Sequence, residues 1–280
     1  MTVVQFPSPA GLVSLDDLPE PPPLITWYSG FPEFRSKMQL APGMLSVVTG
    51  HPGHGKTSLM ANLWFNTVRN HDLRITVATF ETHPLPNYRR MLRQFHAGCA
   101  QSQMTDEQIR AADAFLKDHY RFLIHPNDMP NLEWVLEWAQ AGGNEFDVLV
   151  IDPWNRLESQ RGEKQTETDY ILSCLIALRV FAVRNRCHIQ IIAHPAKRDI
   201  KYRTRFPELE DISGSKSWDN IPDQGICVHR EKFYDEHGSR RYDVRVHHLK
   251  SRFEELGYPM YFDMRLNPRT WCFETSNTNA

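Results

Sequence analysis

Apolar positions along the chain fall into short blocks that alternate with longer helical stripes. "GMLSVVTG" (43–50) is short, apolar and β-branched, and predicts a buried strand. Directly after it, "KTSLMANLWFNTVRN" (56–70) sets Leu59, Leu63, Phe65, Thr67 and Val68 at near-helical spacing. Further strands are predicted at "LRITVATFE" (73–81), ending at Glu81, and at "RFLIHP" (121–126), "FDVLVIDPW" (146–154) and "CHIQIIAHP" (187–195). "DQGICVHRE" (223–231) and the alternating "YDVRVHHLK" (242–250) read as later strands. Helices are predicted at "PNYRRMLRQFHAG" (86–98), with a glycine stop, and at "TDEQIRAADAFLKDHY" (105–120), with Thr105 as cap and Glu107 in the first turn. Two more are predicted at "NLEWVLEWAQAGG" (131–143) and "TDYILSCLIALRVFAVRNR" (168–186). Such repeats imply an α/β fold: a mainly parallel sheet with helices on both faces. Residues 1–25 break the pattern. Their prolines exclude long helices and central strands, so an arm is expected there, disordered or clasping a neighbouring subunit, ahead of one domain at 26–280.

Composition narrows the class. The 280 residues are 41% hydrophobic, enough for one large core. A net charge of -2 argues against a protein that coats nucleic acid with its whole surface, so any such site must be a local patch. Cys99, Cys174, Cys187, Cys227 and Cys272 are scattered and form no C-x-x-C, which predicts reduced thiols rather than disulfides or zinc. No apolar run approaches a membrane span and no signal peptide is read at the start, so a cytoplasmic protein is expected.

Chemistry enters at Gly50, His51, Pro52, Gly53, His54, Gly55, Lys56 and Thr57, with Ser58 following. They satisfy G-x-x-x-x-G-K-[ST], between a predicted strand and a predicted helix. Glycines let backbone N–H groups turn toward phosphates, the lysine reaches the outer phosphates, and the hydroxyl holds magnesium. ATP and Mg2+ are therefore the expected ligands. His51 and His54 read as loop positions rather than metal ligands, since no spacing completes a metal site. Ligands of parallel sheets sit at the carboxyl ends of the strands. Glu81, Asp152 and His194 are all placed there. Asp152, after Val148–Ile151, suits the magnesium shell together with Thr57; Glu81 suits a general base; His194 suits a hydrogen bond to the γ-phosphate or to water.

These stretches resemble a known family, the RecA-like motor domain of DnaB-type, ring-forming replicative DNA helicases, in particular its Twinkle and phage primase-helicase branch. The resemblance is carried, in order, by "GHPGHGKTS", "TFETHPLPNYRRMLRQFHAG", "VLVIDPWN", "CHIQIIAHPAKRD", "ISGSKSWDNIPDQGICVHRE" and "YDVRVHHLKSRFEELGYPMYFDMRLNPRTWCF", and spans about residues 26–275. It implies a RecA-like P-loop core, with Glu81 as catalytic glutamate, Asp152 on the magnesium side and His194 as sensor of the γ-phosphate. It also implies that Lys250 and Arg252, which match the family's K-x-R, reach into the neighbouring subunit's nucleotide, Arg252 as the arginine finger. Read alone, those two are surface cations.

The expected partner is single-stranded DNA. Lys197, Arg198, Lys201, Arg203 and Arg205 face one acid, Asp199, within nine residues, and Tyr202 lies among them. Such a loop suits phosphates in a ring's channel. Residues 155–169 are a weaker second loop. The resemblance further implies a hexameric homo-oligomer, 5′-to-3′ movement, and primase, polymerase or other replisome proteins as partners. It also leaves an expected departure, since no primase or collar domain precedes the motor here. Two other readings stay open: a RecA-type strand-exchange recombinase, and a nucleotide-gated helicase loader or adaptor.

Overall fold

Why the motifs converge is a matter of strand register. A computed structural model describes residues 14, 23–35, 37–126, 129–196 and 205–276. Nearly all of the 1–25 arm, and Lys197, Arg198, Lys201 and Arg203, lie outside the described residues. The strands are β1 (Leu45–Thr49), β2 (Ile75–Thr79), β3 (Tyr120–Leu123), β4 (Val148–Asp152), β5 (His188–Ile192), β6 (Gln224–His229), β7 (Asp243–Ser251), β8 (Met260–Leu266) and β9 (Phe273–Thr275). They form one sheet in the order β3-β2-β4-β5-β1-β6-β7-β8-β9. From β3 to β6 every pair is parallel; β6, β7, β8 and β9 are antiparallel. The mainly parallel sheet expected from the sequence is present, with an antiparallel extension that the sequence reading did not resolve.

The helices are α1 (Lys56–His71), α2 (Arg89–Ala97), α3 (Asp106–His119), α4 (Leu132–Ala139), α5 (Glu167–Asn185) and the single turn α6 (Ser217–Asn220). Strands β1, β2, β4, β5 and β6 are buried along their whole length, which is why they read as unbroken apolar blocks. One core packs α1, α2 and α3 on Val48, Val77, Val150 and Ile192; the other packs α4, α5 and α6 on Val47, Leu149, Ile151 and Ile189. Trp27, Phe31 and Phe34, just after the arm, are buried in the first core.

Local chemistry sets the helix ends. Thr105 and Gln108 close a reciprocal capping box on α3, so the partner is Gln108 rather than Glu107. Asn131 caps α4 and Thr166 caps α5 through their side chains. α2 starts only at Arg89, because Pro86 lacks an N–H and the preceding turn at Pro84–Tyr88 contains an extended Leu85. Gly98 ends it in a left-handed conformation.

Two expected strand ends are corrected. β2 stops at Thr79 and β5 at Ile192, so Glu81 and His194 sit in the turns beyond. The Thr79 hydroxyl donates to the Thr82 carbonyl at 2.7 Å, and Phe80 N–H donates to the Asp152 carbonyl. The second bond is the last of the ladder to β4, and the first belongs to the turn that takes the chain off the sheet before Glu81.

Candidate active site

Register brings the site together. Thr49 pairs with Cys227, Val48 with Ile192, Ile151 with Ile191 and Thr79 with Asp152. The loop after β1, the turns after β2 and β5, and the end of β4 therefore meet at one edge of the sheet. That edge is the carboxyl end of its parallel strands.

The loop from Gly50 to Gly55 wraps the N-terminus of α1. Gly55 takes a left-handed conformation there, and no side chain caps the helix. The first N–H groups of α1 remain available to an anion. Gly50 has φ +141°, and a Cβ on it would lie 2.3 Å from the Val228 carbonyl oxygen. No L side chain fits. Gly50→Ala should therefore shift the loop, weaken nucleotide binding, and lower stability by roughly 1–3 kcal/mol. Urea unfolding and a nucleotide titration on that variant check this; unchanged affinity would contradict it.

Lys56 is buried and folds back on its own loop. Its ammonium donates to the carbonyls of Gly50 at 2.8 Å and His51 at 3.1 Å. Burial pulls its pKa down to about 8, opposed by the carboxylates of Asp152 and Glu81. Asp152 is buried too and is pushed up to about 6, chiefly by burial. The Thr57 hydroxyl donates to it, and that bond and Lys56 oppose the rise. A buried carboxyl facing a hydroxyl, beside a phosphate-type loop, fits a hard cation with oxygen ligands.

His194 Nε2 lies 3.5 Å from Glu81 Oε2, and its backbone N–H donates to Asn155 Oδ1 at 2.7 Å. Burial, Lys56 and Arg156 lower the imidazole pKa while Glu81 resists. The ring is therefore neutral near pH 7, and the long Glu81 contact is not a full ion pair. Its Nδ1 is buried without a hydrogen-bond partner among the described residues. Glu81 itself is half exposed.

The two loop histidines pack with a third. The rings of His51, His54 and His229 lie 5.3–6.4 Å apart, centre to centre. Among the described residues no group of three such side chains is arranged to hold a metal. His54 Nδ1 instead accepts the Arg230 N–H at 2.9 Å, and burial drives its pKa down to about 3.

Arg230 was not singled out by sequence reasoning. It is only 6% exposed, its Nε has no partner among the described residues, and its guanidinium sits over Phe233 and near Gly55. A buried guanidinium at a phosphate-type loop is a candidate anion ligand. Only its position directly after β6, in "CVHRE", could have marked it.

Lys250 and Arg252 do not join this group. β7 is antiparallel, and its pairing of Lys250 with Gly225 and Ser251 with Gln224 carries them to the opposite, amino edge of the sheet. There Lys250 donates to the Asp219 and Asn220 carbonyls. Arg252 donates to the Asn220 and Ile221 carbonyls at 2.9 and 3.0 Å and pairs with Asp223 at 3.1 Å. Asp223 is buried, and it also holds Arg179 and the Leu45 N–H. Of the basic loop, Arg205 is described, paired with Glu208.

A sequence model of the DnaB-like helicase C terminal domain matches residues 28–258. The chain belongs to this family. The Twinkle homolog protein, chloroplastic/mitochondrial, of Arabidopsis thaliana is 31% identical over 215 residues, which cover 73% of this chain and 30% of that protein. The chain thus spans under a third of that relative's length. Among solved structures, one of an ATPase domain superposes with a TM-score of 0.68 at 15% identity, covering 84% of this chain and 85% of that one. A DnaB-like replicative helicase, described with its interactions with primase, gives 0.70 at 16% identity, covering 88% and 61%. The RadB recombinase gives 0.53 at 13% identity, covering 84% and 91%. These likenesses establish a RecA-like fold, which helicases and recombinases share, and family membership separates the two. No helix among the described residues is long and apolar enough to cross a membrane.

Proposed function

We propose that residues 26–280 are the motor of a replicative DNA helicase, an ATP hydrolase that moves 5′ to 3′ on single-stranded DNA and separates the strands of duplex. The observation that carries this reading is the convergence of the Gly50–Thr57 loop, Glu81, Asp152 and His194 at one edge of the sheet, in a chain of this family. The loop and the α1 N-terminus hold the phosphates of ATP, and Lys56 swings from its loop carbonyls onto the outer phosphates. Arg230 adds a second cation from the same chain. Thr57 and Asp152 would hold magnesium, which when bound would neutralise charge building on the phosphate oxygens. Glu81 orients and deprotonates the attacking water, and the neutral His194 beside it donates to the γ-phosphate. Lys250 and Arg252 face away from their own site, so they act on a neighbouring copy, and a hexameric ring supplies that neighbour.

The basic loop at 197–205 grips the strand. Primase or polymerase docks on the assembled ring, which works in the cytoplasm of a cell or on a phage or plasmid replicon. A forked duplex carrying a 5′ tail tests the reading. It should unwind with ATP, whereas a fork with only a 3′ tail should not; strand exchange without unwinding would favour a recombinase.

Acidity supplies a second check. The Asp152 pKa is raised from its ordinary 3.8 to about 6. Between those values the folded chain holds a proton that the unfolded chain releases. This carboxyl therefore makes stability fall as pH rises through that window. Magnesium needs the ionised form, so magnesium-dependent nucleotide affinity should weaken as pH falls through about 6. Titration of a fluorescent nucleotide on either side of that pH reads the effect, and a flat profile would count against Asp152 as the metal side chain.

A further inference from the structure

One set of contacts runs from the candidate active site to the distant cation pair. It starts where Asn155 accepts the His194 N–H at 2.7 Å. Asn155 lies in the one-turn 3-10 helix at Trp154–Arg156. Its neighbour Trp154 meets Trp218 edge-to-face, with ring centres 5.3 Å apart. Trp218 is fully buried, and its indole N–H donates to the Ser213 carbonyl at 3.1 Å. It belongs to α6, whose last carbonyls have no acceptor role within so short a helix. Those carbonyls, of Asp219 and Asn220, with that of Ile221 next in line, are the ones that Lys250 and Arg252 occupy.

We propose that Trp154 and Asn155 are positioning residues that couple the nucleotide state of one subunit to the Lys250–Arg252 pair it presents to the next. The proposal rests on the reading of these two cations as acting across a subunit boundary. In the present structure Arg252 is satisfied by two carbonyls and Asp223 of its own chain, an arrangement it must leave to reach a neighbour's phosphates. A γ-phosphate contact at His194 pulls on Asn155, tilts the Trp154 ring against Trp218 and shifts α6. The carbonyls then loosen their hold on the pair. Such coupling requires α6 to have a second position besides the one described, which would make it the bistable element. The packed indoles transmit the shift because a close-packed interior does not absorb it.

Contact alone does not establish coupling, so the test measures it across the boundary. Arg252→Ala chains, with a complete site but no finger, are mixed with Glu81→Gln chains, with a finger but no turnover of their own. All ATP hydrolysis then arises where the first meets the second. Trp154→Ala is placed in the Glu81→Gln chain, where it touches no working site. Turnover in the mixture should fall about fivefold or more, and Trp154→Phe should restore it to within about twofold. Asn155→Ala in the same chain should act in the same direction. Melting temperature and mass photometry confirm that folding and mixed assembly are retained. Unchanged turnover with Trp154→Ala overturns the proposal. If the parent mixture assembles and shows no turnover, the trans arrangement itself is wrong, and the coupling falls with it.

Discussion

Replacing Lys56 with alanine is expected to abolish ATP turnover, by about a thousand-fold or more, while leaving the fold intact. The lysine is the cation at the base of the loop, where its ammonium donates to two loop carbonyls that it exchanges for the outer phosphates in the proposed function. Without it, negative charge developing on the transferred phosphoryl group has lost its nearest compensation. Stability should hardly suffer. Burial already disfavours the charged ammonium, pulling its pKa to about 8, so its removal relieves a desolvation cost while giving up two hydrogen bonds. The net change should stay within about 1 kcal/mol. Steady-state hydrolysis and urea unfolding of the same preparation separate the two effects, and turnover at the wild-type rate would overturn the assignment of the loop.

Arg252→Ala should cost about a thousand-fold or more in hydrolysis while nucleotide binding persists. The argument is topological. An antiparallel β7 places this side chain at the amino edge of the sheet, whereas the loop, Glu81, Asp152 and His194 occupy the carboxyl edge. Arg252 cannot serve its own site without dismantling the sheet. A direct effect on catalysis would therefore have to pass to another copy, where a cation inserted at the phosphates would make hydrolysis depend on assembly. Mixing Arg252→Ala with Glu81→Gln should then recover part of the lost turnover. Absence of recovery at every ratio, with mixed assemblies confirmed, would argue for a purely structural role. That role is real in part, since Arg252 helps to neutralise the buried Asp223, but Arg179 remains to hold it.

Much of the candidate site was legible because its chemistry is local in sequence. The loop motif, the strand before it and the helix after it are contiguous, and fully buried parallel strands announce themselves as apolar blocks. Asp152, at the end of such a block, stands where the sequence placed it. Glu81 and His194 were found as polar residues after apolar runs, although each sits beyond its strand; after β2 the bond from the Thr79 hydroxyl to the Thr82 carbonyl marks a turn that the apolar pattern does not show. What could not be read depends on contacts distant in sequence. Arg230 meets the loop only because β6 lies beside β1, and its partner His54 is 176 residues away. The shared Asp223 and the Trp154–Trp218 contact are of the same kind. β8 and β9 escaped because strands with one exposed face carry a weaker apolar signal, and β9, at the edge of the sheet, is only three residues long.

The most direct test of the central claim is ATP hydrolysis measured with and without single-stranded DNA, with mass photometry on the same samples. The account predicts marked stimulation by the strand, about tenfold or more, together with a hexameric species. Slow hydrolysis indifferent to DNA, from monomers or small oligomers, would contradict it and favour a nucleotide-gated switch or loader.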